Sequence, residues 1–260
     1  MSITPLSIVQ FFIPFTCIAD ACRNTHINIS SEYTNNPNNI IEPDLQSFLQ
    51  KVSIRKDLIF MKGFDPKLCM SMGTNFFTKG RAVIFVNPKF HNADKEACYW
   101  LIKHEISHIK NNDYFTMPLV TALCSLAATI FSAFLMPVIP VLLVTISVGY
   151  IAKTIFSQYR ERKADDFAID NSSNEELKGG RRILKAMIET NLKARNTLWR
   201  KIAFSSTGEC RLDFAHPSLK SRVKKIENRL QQQNIEIDTL EQSAKIGNLS
   251  KWIENDSHPD

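Results

Sequence analysis

The chain has 260 residues, 44% hydrophobic and 22% charged, enough for one fair-sized domain or two small ones with a real core. Its formal net charge is +6 and its pI about 9.0, a balance that suits anionic lipid headgroups as well as nucleic acid. No aromatic-basic stripe and no zinc-finger spacing supports nucleic acid as a partner, and the six cysteines, without a Cys-x-x-Cys pair, read as apolar fillers in a reducing compartment.

Residues 1–22 carry an apolar run from Ile8 to Ala19, broken by Pro14, with no Lys or Arg before it. The run is short for a membrane span, and a cleaved signal, an uncleaved anchor and a buried segment all remain open. Residues 23–50 are polar and centred on Asn35-Asn36-Pro37-Asn38-Asn39, a turn-rich linker. Between Leu58 and Val86 the pattern favours strands, with Lys79-Gly80 turning a hairpin into Arg81–Val86. A helix is predicted from near Asn92, as N-cap, through His104 and His108 to Asn111-Asn112.

From Met117 to Phe156 forty residues hold a single charge, Lys153. Two helices, Met117–Leu135 and Val138–Phe156, turning at Pro137 and Pro140, are expected to form a transmembrane hairpin. A hairpin buried in a soluble domain would need protein around both helices, which the remaining sequence is too short to supply. Lys103, Lys110, Lys153, Arg160, Arg162 and Lys163 flank the block, so the positive-inside rule puts both ends on the cytoplasmic side. The second helix is expected to continue through Gln158–Ile169. A basic amphipathic helix follows over 175–200, which Gly179-Gly180 could break. His216-Pro217 starts another, and 234–260 reads as a polar, mobile tail. The domain reading is therefore a catalytic unit over 51–233 with the hairpin 117–156 inserted, and the class is α+β, mainly helical.

His104-Glu105-Ile106-Ser107-His108 is an H-E-x-x-H motif on a predicted helix. Residues four apart share a helix face, so both imidazoles can reach one metal ion, while Glu105 can touch a metal-bound water without being a ligand. The bland alternative is a surface helix with two unrelated histidines. Zinc needs a third protein ligand and keeps its fourth position for water. Glu161 and Asp165 are again four apart, which offers Glu161 as that ligand and Asp165 as a hydrogen-bond partner for a ligand imidazole. An exposed charged turn is the alternative for this pair.

The order H-E-x-x-H, apolar hairpin, E-x-x-A-D resembles the HtpX-type membrane zinc metallopeptidases, gluzincins related to the CAAX prenyl protease. Asn75-Phe76-Phe77 with Gly80, the run His108 to Asp113, and His216-Pro217-Ser218 with Arg222 extend the likeness over about residues 58 to 230. Phe76 stands where the family usually has alanine, and at most one short apolar run stands where it has two N-terminal spans.

The resemblance implies a zincin-like domain with a small antiparallel sheet beside the active-site helix, and one Zn2+ per subunit. It suggests His216 for catalysis and Arg222 for an oxyanion-stabilising or structural role. It also implies that Val83, Ile84 and Phe85 form the edge strand on which an extended substrate pairs. Expected partners are protein or peptide substrates and a lipid bilayer. The expected place is the bacterial inner membrane with the catalytic domain facing the cytoplasm, in proteolytic quality control of membrane or misfolded proteins. A catalytically inactive membrane scaffold or chaperone-like relative, and a signal-bearing exported protease, are the competing readings.

Overall fold

The computed structural model describes residues 57–62, 69–73, 81–86, 88–133, 137–196, 198–211, 213–235 and 239–256, with residues 47 and 51. The apolar run at 8–19, the turn at Asn75–Gly80 and nearly all of the linker lie outside these residues.

Three short strands, β1 (Asp57–Lys62), β2 (Cys69–Gly73) and β3 (Arg81–Val86), form one sheet in the order β1-β3-β2. β3 runs parallel to β1, with Asp57 opposite Arg81, and antiparallel to β2, with Cys69 opposite Val86. The expected antiparallel sheet is therefore corrected to a mixed one. So is the edge strand: Val83, Ile84 and Phe85 lie on the central strand, whose backbone pairs on both sides and has no free edge for a substrate. Ile84 is fully buried.

Helices make up most of the described chain. α1 (Pro88–Ala93) leads into α2 (Lys95–Lys110), the helix of the H-E-x-x-H motif. The cap of α2 is Asp94 rather than Asn92: Asp94 Oδ1 accepts from Ala97 N–H at 3.0 Å. Asp94 is itself buried, and Arg182 reaches it through two hydrogen bonds of 2.7 and 2.8 Å. That pair ties the start of α2 to α5 (Asn174–Lys193), where Arg182 lies.

α5 is not broken by Gly179-Gly180. A Cβ on Gly179 would lie 2.4 Å from Ala97 N, and one on Gly180 2.5 Å from Trp100 Cδ2. The two glycines let α5 approach the backbone and indole of α2 directly, which explains their place inside a helix. Ser173 and Glu176 close a capping box at the start of α5. Glu176 also receives Lys103 Nζ at 2.7 Å, while the same ammonium donates to Asn171 O at 2.9 Å.

α3 (Asp113–Ala133) and α4 (Val138–Asn171) form an antiparallel pair, and α4 runs unbroken through Gln158–Ile169 as the sequence suggested. Their contact buries small side chains, Ala122 and Val141 beside the hydroxyls of Ser125, Thr129 and Thr145. Thr129 Oγ1 meets Thr145 Oγ1 at 2.9 Å, and Ser125 lies where a Cβ on Gly149 would be 2.3 Å from its Oγ. Among the described residues, no helix is long and apolar enough to cross a membrane. The α+β fold with an antiparallel sheet and an inserted transmembrane hairpin is thus corrected to a predominantly helical fold with a small mixed sheet. Ser125, Thr129 and Thr145 place buried hydroxyls along the helix pair.

Short α6 (Leu198–Ala203) follows a 3-10 turn, so the helix expected over 175–200 ends at Lys193. α7 (Leu219–Gln232) is capped by Ser218, and the Glu209 carboxylate accepts from Leu219 N and Lys220 N at 2.8 Å each. Pro217 precedes the cap rather than opening the helix. α8 (Thr239–Asp256) replaces the expected tail: its Ile246 and Leu249 are buried in the main core, against α5. Trp100, Ile102 and Ile106 of the motif helix share a core with Ile183 and Leu184 of α5 and Ile226 of α7.

Candidate metal centre

α2 presents His104 and His108 on its inner face, and α4 brings Glu161 and Asp165 to them. His104 Nε2 and His108 Nε2 are 3.2 Å apart. Glu161 bridges the rings, with Oε2 at 3.3 Å from His104 Nε2 and Oε1 at 3.3 Å from His108 Nε2. These are the separations a single small cation imposes: ligands at about 2.0–2.1 Å from a tetrahedral zinc stand roughly 3.3 Å from each other. His104, His108 and Glu161 form a group able to hold one metal ion. The donor set fits, since two imidazole nitrogens and one carboxylate leave a position open for water.

Each ligand imidazole is steered from behind by a second carboxylate. His108 Nδ1 is 2.7 Å from Asp113 Oδ2, so an Nδ1–H can donate there and leave the Nε2 lone pair for the metal. Asn112, with φ 56, makes the sharp turn between α2 and α3 that brings Asp113 back beneath the ring. Arg160 pairs with Asp113 and donates to Asn111 O at 2.7 Å, tying that turn to α4. His104 Nδ1 is 3.0 Å from Asp165 Oδ1, an ion-pair distance at an angle oblique to a hydrogen bond. Asp165 is held by Arg222, whose Nε and Nη2 donate at 2.8 and 2.7 Å. Two nitrogens of Arg222 are thereby committed to Asp165.

The electrostatics favour positive charge. Burial opposes ionisation of His104, but Asp165 and Glu161 outweigh it and raise its pKa above the ordinary histidine value. Burial likewise opposes charging of His108, and Glu161 overcomes it. Glu161 and Asp165 are held well below the carboxylate range in spite of burial, the first by the two imidazoles and the second by Arg222 and His104. Such a cluster attracts a proton or a metal ion.

The remaining sequence-predicted residues fall around this centre. Glu105 is half-buried, and its charge acts on both His108 and Arg222. His216 is exposed at the rim, with Nε2 3.7 Å from Glu161 Oε1 and Nδ1 2.9 Å from both oxygens of Asp213. Sequence reasoning missed the parts of Asp213 and Arg160 and gave Asp113 no role. For Asp213 the available signal was a carboxylate three residues before a histidine in a loop.

An H-E-x-x-H helix whose imidazoles face a carboxylate from a second helix, each ring backed by a further carboxylate, defines a metallopeptidase-type centre. The model of peptidase family M48 matches residues 42–230, and the chain belongs to that family, which includes HtpX and CAAX protease-like members. No curated protein and no solved structure compared with the chain gives a match.

Proposed function

We propose that the protein is a zinc-dependent endopeptidase that cleaves protein or peptide substrates at the His104–His108–Glu161 centre. The meeting of these three side chains, from two helices separated by the α3–α4 turn, carries the reading. Zinc bound there supplies a Lewis acid that lowers the pKa of a water to about 7. Glu105, one residue after a ligand and not itself in the ligand group, accepts the proton of the attacking water and passes it to the departing amine. His216, with Nδ1 held by Asp213, donates from Nε2 to the carbonyl oxygen as charge builds on it. An extended substrate has the outer strand β2, which lies against α2, as its nearest sheet edge.

Contact with a lipid bilayer is part of the proposal. Leu123, Ile130, Phe131, Leu143, Ile146 and Ile155 are exposed on the outside of the α3–α4 pair, whose inside buries the smaller Ala122, Ser125, Thr129, Val141 and Thr145. Apolar surface of this extent suits attachment to a membrane without crossing it. It also suits a quality-control role toward membrane or misfolded proteins at the cytoplasmic face of a bacterial inner membrane.

The test is casein cleavage and metal content for the wild type and for Glu105→Gln. Loss of cleavage with zinc retained supports the peptidase; equal cleavage by the variant refutes the role of Glu105, and a folded protein that takes up no zinc refutes the centre.

A further inference from the structure

A cavity of about 310 Å³ opens between α4 and α7, on the far side of Asp165 from the metal ligands. Arg162, Arg222, Lys224 and Lys225 line it, with Ser221 and Asn228. Arg222 is neutralised by Asp165, and Lys225 pairs with Asp166. Arg162 has only a 3.4 Å hydrogen bond to Gln158, and Lys224 makes no ion pair among the described residues. Four cations therefore face two carboxylates, and the surplus is positive. Nothing in the peptidase chemistry uses it.

The cavity also continues an apolar stripe. Ile151, Ile155 and Tyr159 are 55%, 66% and 48% exposed on α4. They precede Arg162 at spacings of four, four and three residues, so they share its side of the helix. Lys163 Nζ, 4.9 Å from the Tyr159 ring, adds another cation at the same end.

We propose that the α4–α7 cavity binds the phosphate of an anionic phospholipid headgroup, whose acyl chains lie along Ile151, Ile155 and Tyr159. The inference rests on the membrane contact proposed above and names the lipid chemistry that contact selects. A free carboxylate or a soluble phosphate ester would satisfy the cations but would leave the adjoining stripe in water. A neutral lipid would cover the stripe and leave the cations without a partner.

The experiment is flotation of the purified full chain with vesicles of phosphatidylcholine alone and of phosphatidylcholine with phosphatidylglycerol. The anionic vesicles should bind more strongly. Arg162→Gln with Lys224→Gln should weaken that binding about 25-fold, from roughly fivefold per cation lost near a membrane surface. The double control Lys178→Gln with Lys251→Gln, which removes the same charge elsewhere, should change it far less. Ile151→Ser with Ile155→Ser should weaken binding to both vesicle types, and melting temperature and zinc content of all variants show that they fold.

Equal binding to neutral and anionic vesicles, or equal losses in the cavity and control variants, overturns the headgroup site while the membrane contact stands. No flotation with either vesicle overturns both. Calorimetric titration with inorganic phosphate separates the sources: saturable binding that the cavity variant abolishes, without preference for anionic vesicles, assigns the cavity to a soluble phosphate and overturns the lipid.

Discussion

At the scale of single residues, the centre divides its labour between groups that would touch the metal and groups that hold those groups still. Glu161→Ala removes one of three ligands, and zinc content measured after dialysis should fall from stoichiometric to near zero. Glu105→Gln removes a proton acceptor and no ligand; zinc should stay and kcat should fall about 10²–10⁴-fold, the range of general acid–base catalysis. Asp113→Ala leaves His108 Nδ1 and Arg160 without their carboxylate. Zinc affinity, measured by competition with a chromophoric chelator, should weaken about 10–100-fold. An unchanged affinity would mean that the α2–α3 turn alone orients the ring. Asp94 and Arg182 do comparable work away from the chemistry, since removing one partner of such a buried pair costs about 3–5 kcal/mol.

At the scale of elements, the approach of α5 to α2 is the contact with the least slack. Glycine in a helix interior is ordinarily worth about 1 kcal/mol less than alanine. At Gly180 the sign should reverse, because the added Cβ would lie 2.5 Å from the indole of Trp100. Gly180→Ala should destabilise the protein by about 1–3 kcal/mol, read from urea unfolding. A gain in stability would show that Trp100 moves aside freely. Gly179 meets backbone instead of a side chain and has less room to relax. The α3–α4 pair shows the converse, with small residues such as Ala122, Ser125, Thr129 and Thr145 buried where the helices meet and large apolar ones outside.

At the scale of the whole molecule, a bound metal would join α2 to α4, so loading and folding are linked. In the metal-free protein the raised His104 and His108 contribute stability that is present below the unfolded pKa of about 6.5 and lost as pH rises through the higher folded values. The depressed Glu161 and Asp165 contribute stability present above their unfolded pKa values and lost as pH falls toward their folded ones. Zinc competes with the histidine protons. The gap in melting temperature between zinc-loaded and chelator-treated protein should therefore widen from about pH 6 to about pH 8; a gap independent of pH would show that His104 and His108 do not bind the metal. The grouping of these side chains was legible in the sequence because His104 with His108, and Glu161 with Asp165, each sit four residues apart, a spacing that places side chains on one helix face in any surroundings. The long helices were legible for the same local reason, although their ends shifted, as when Asp94 took the cap expected of Asn92 once Arg182 lay beside it. Other features were decided only by parts of the chain far apart in sequence. Strand order put β3 between two partners; residues 239–256 became a helix because α5 offered Ile246 and Leu249 an apolar surface; Asp213 and Arg160 gained roles only when loops and helices met. Local spacing determines which side chains can act together, whereas their partners, the free edge of a sheet and the burial of a terminal segment depend on long-range packing.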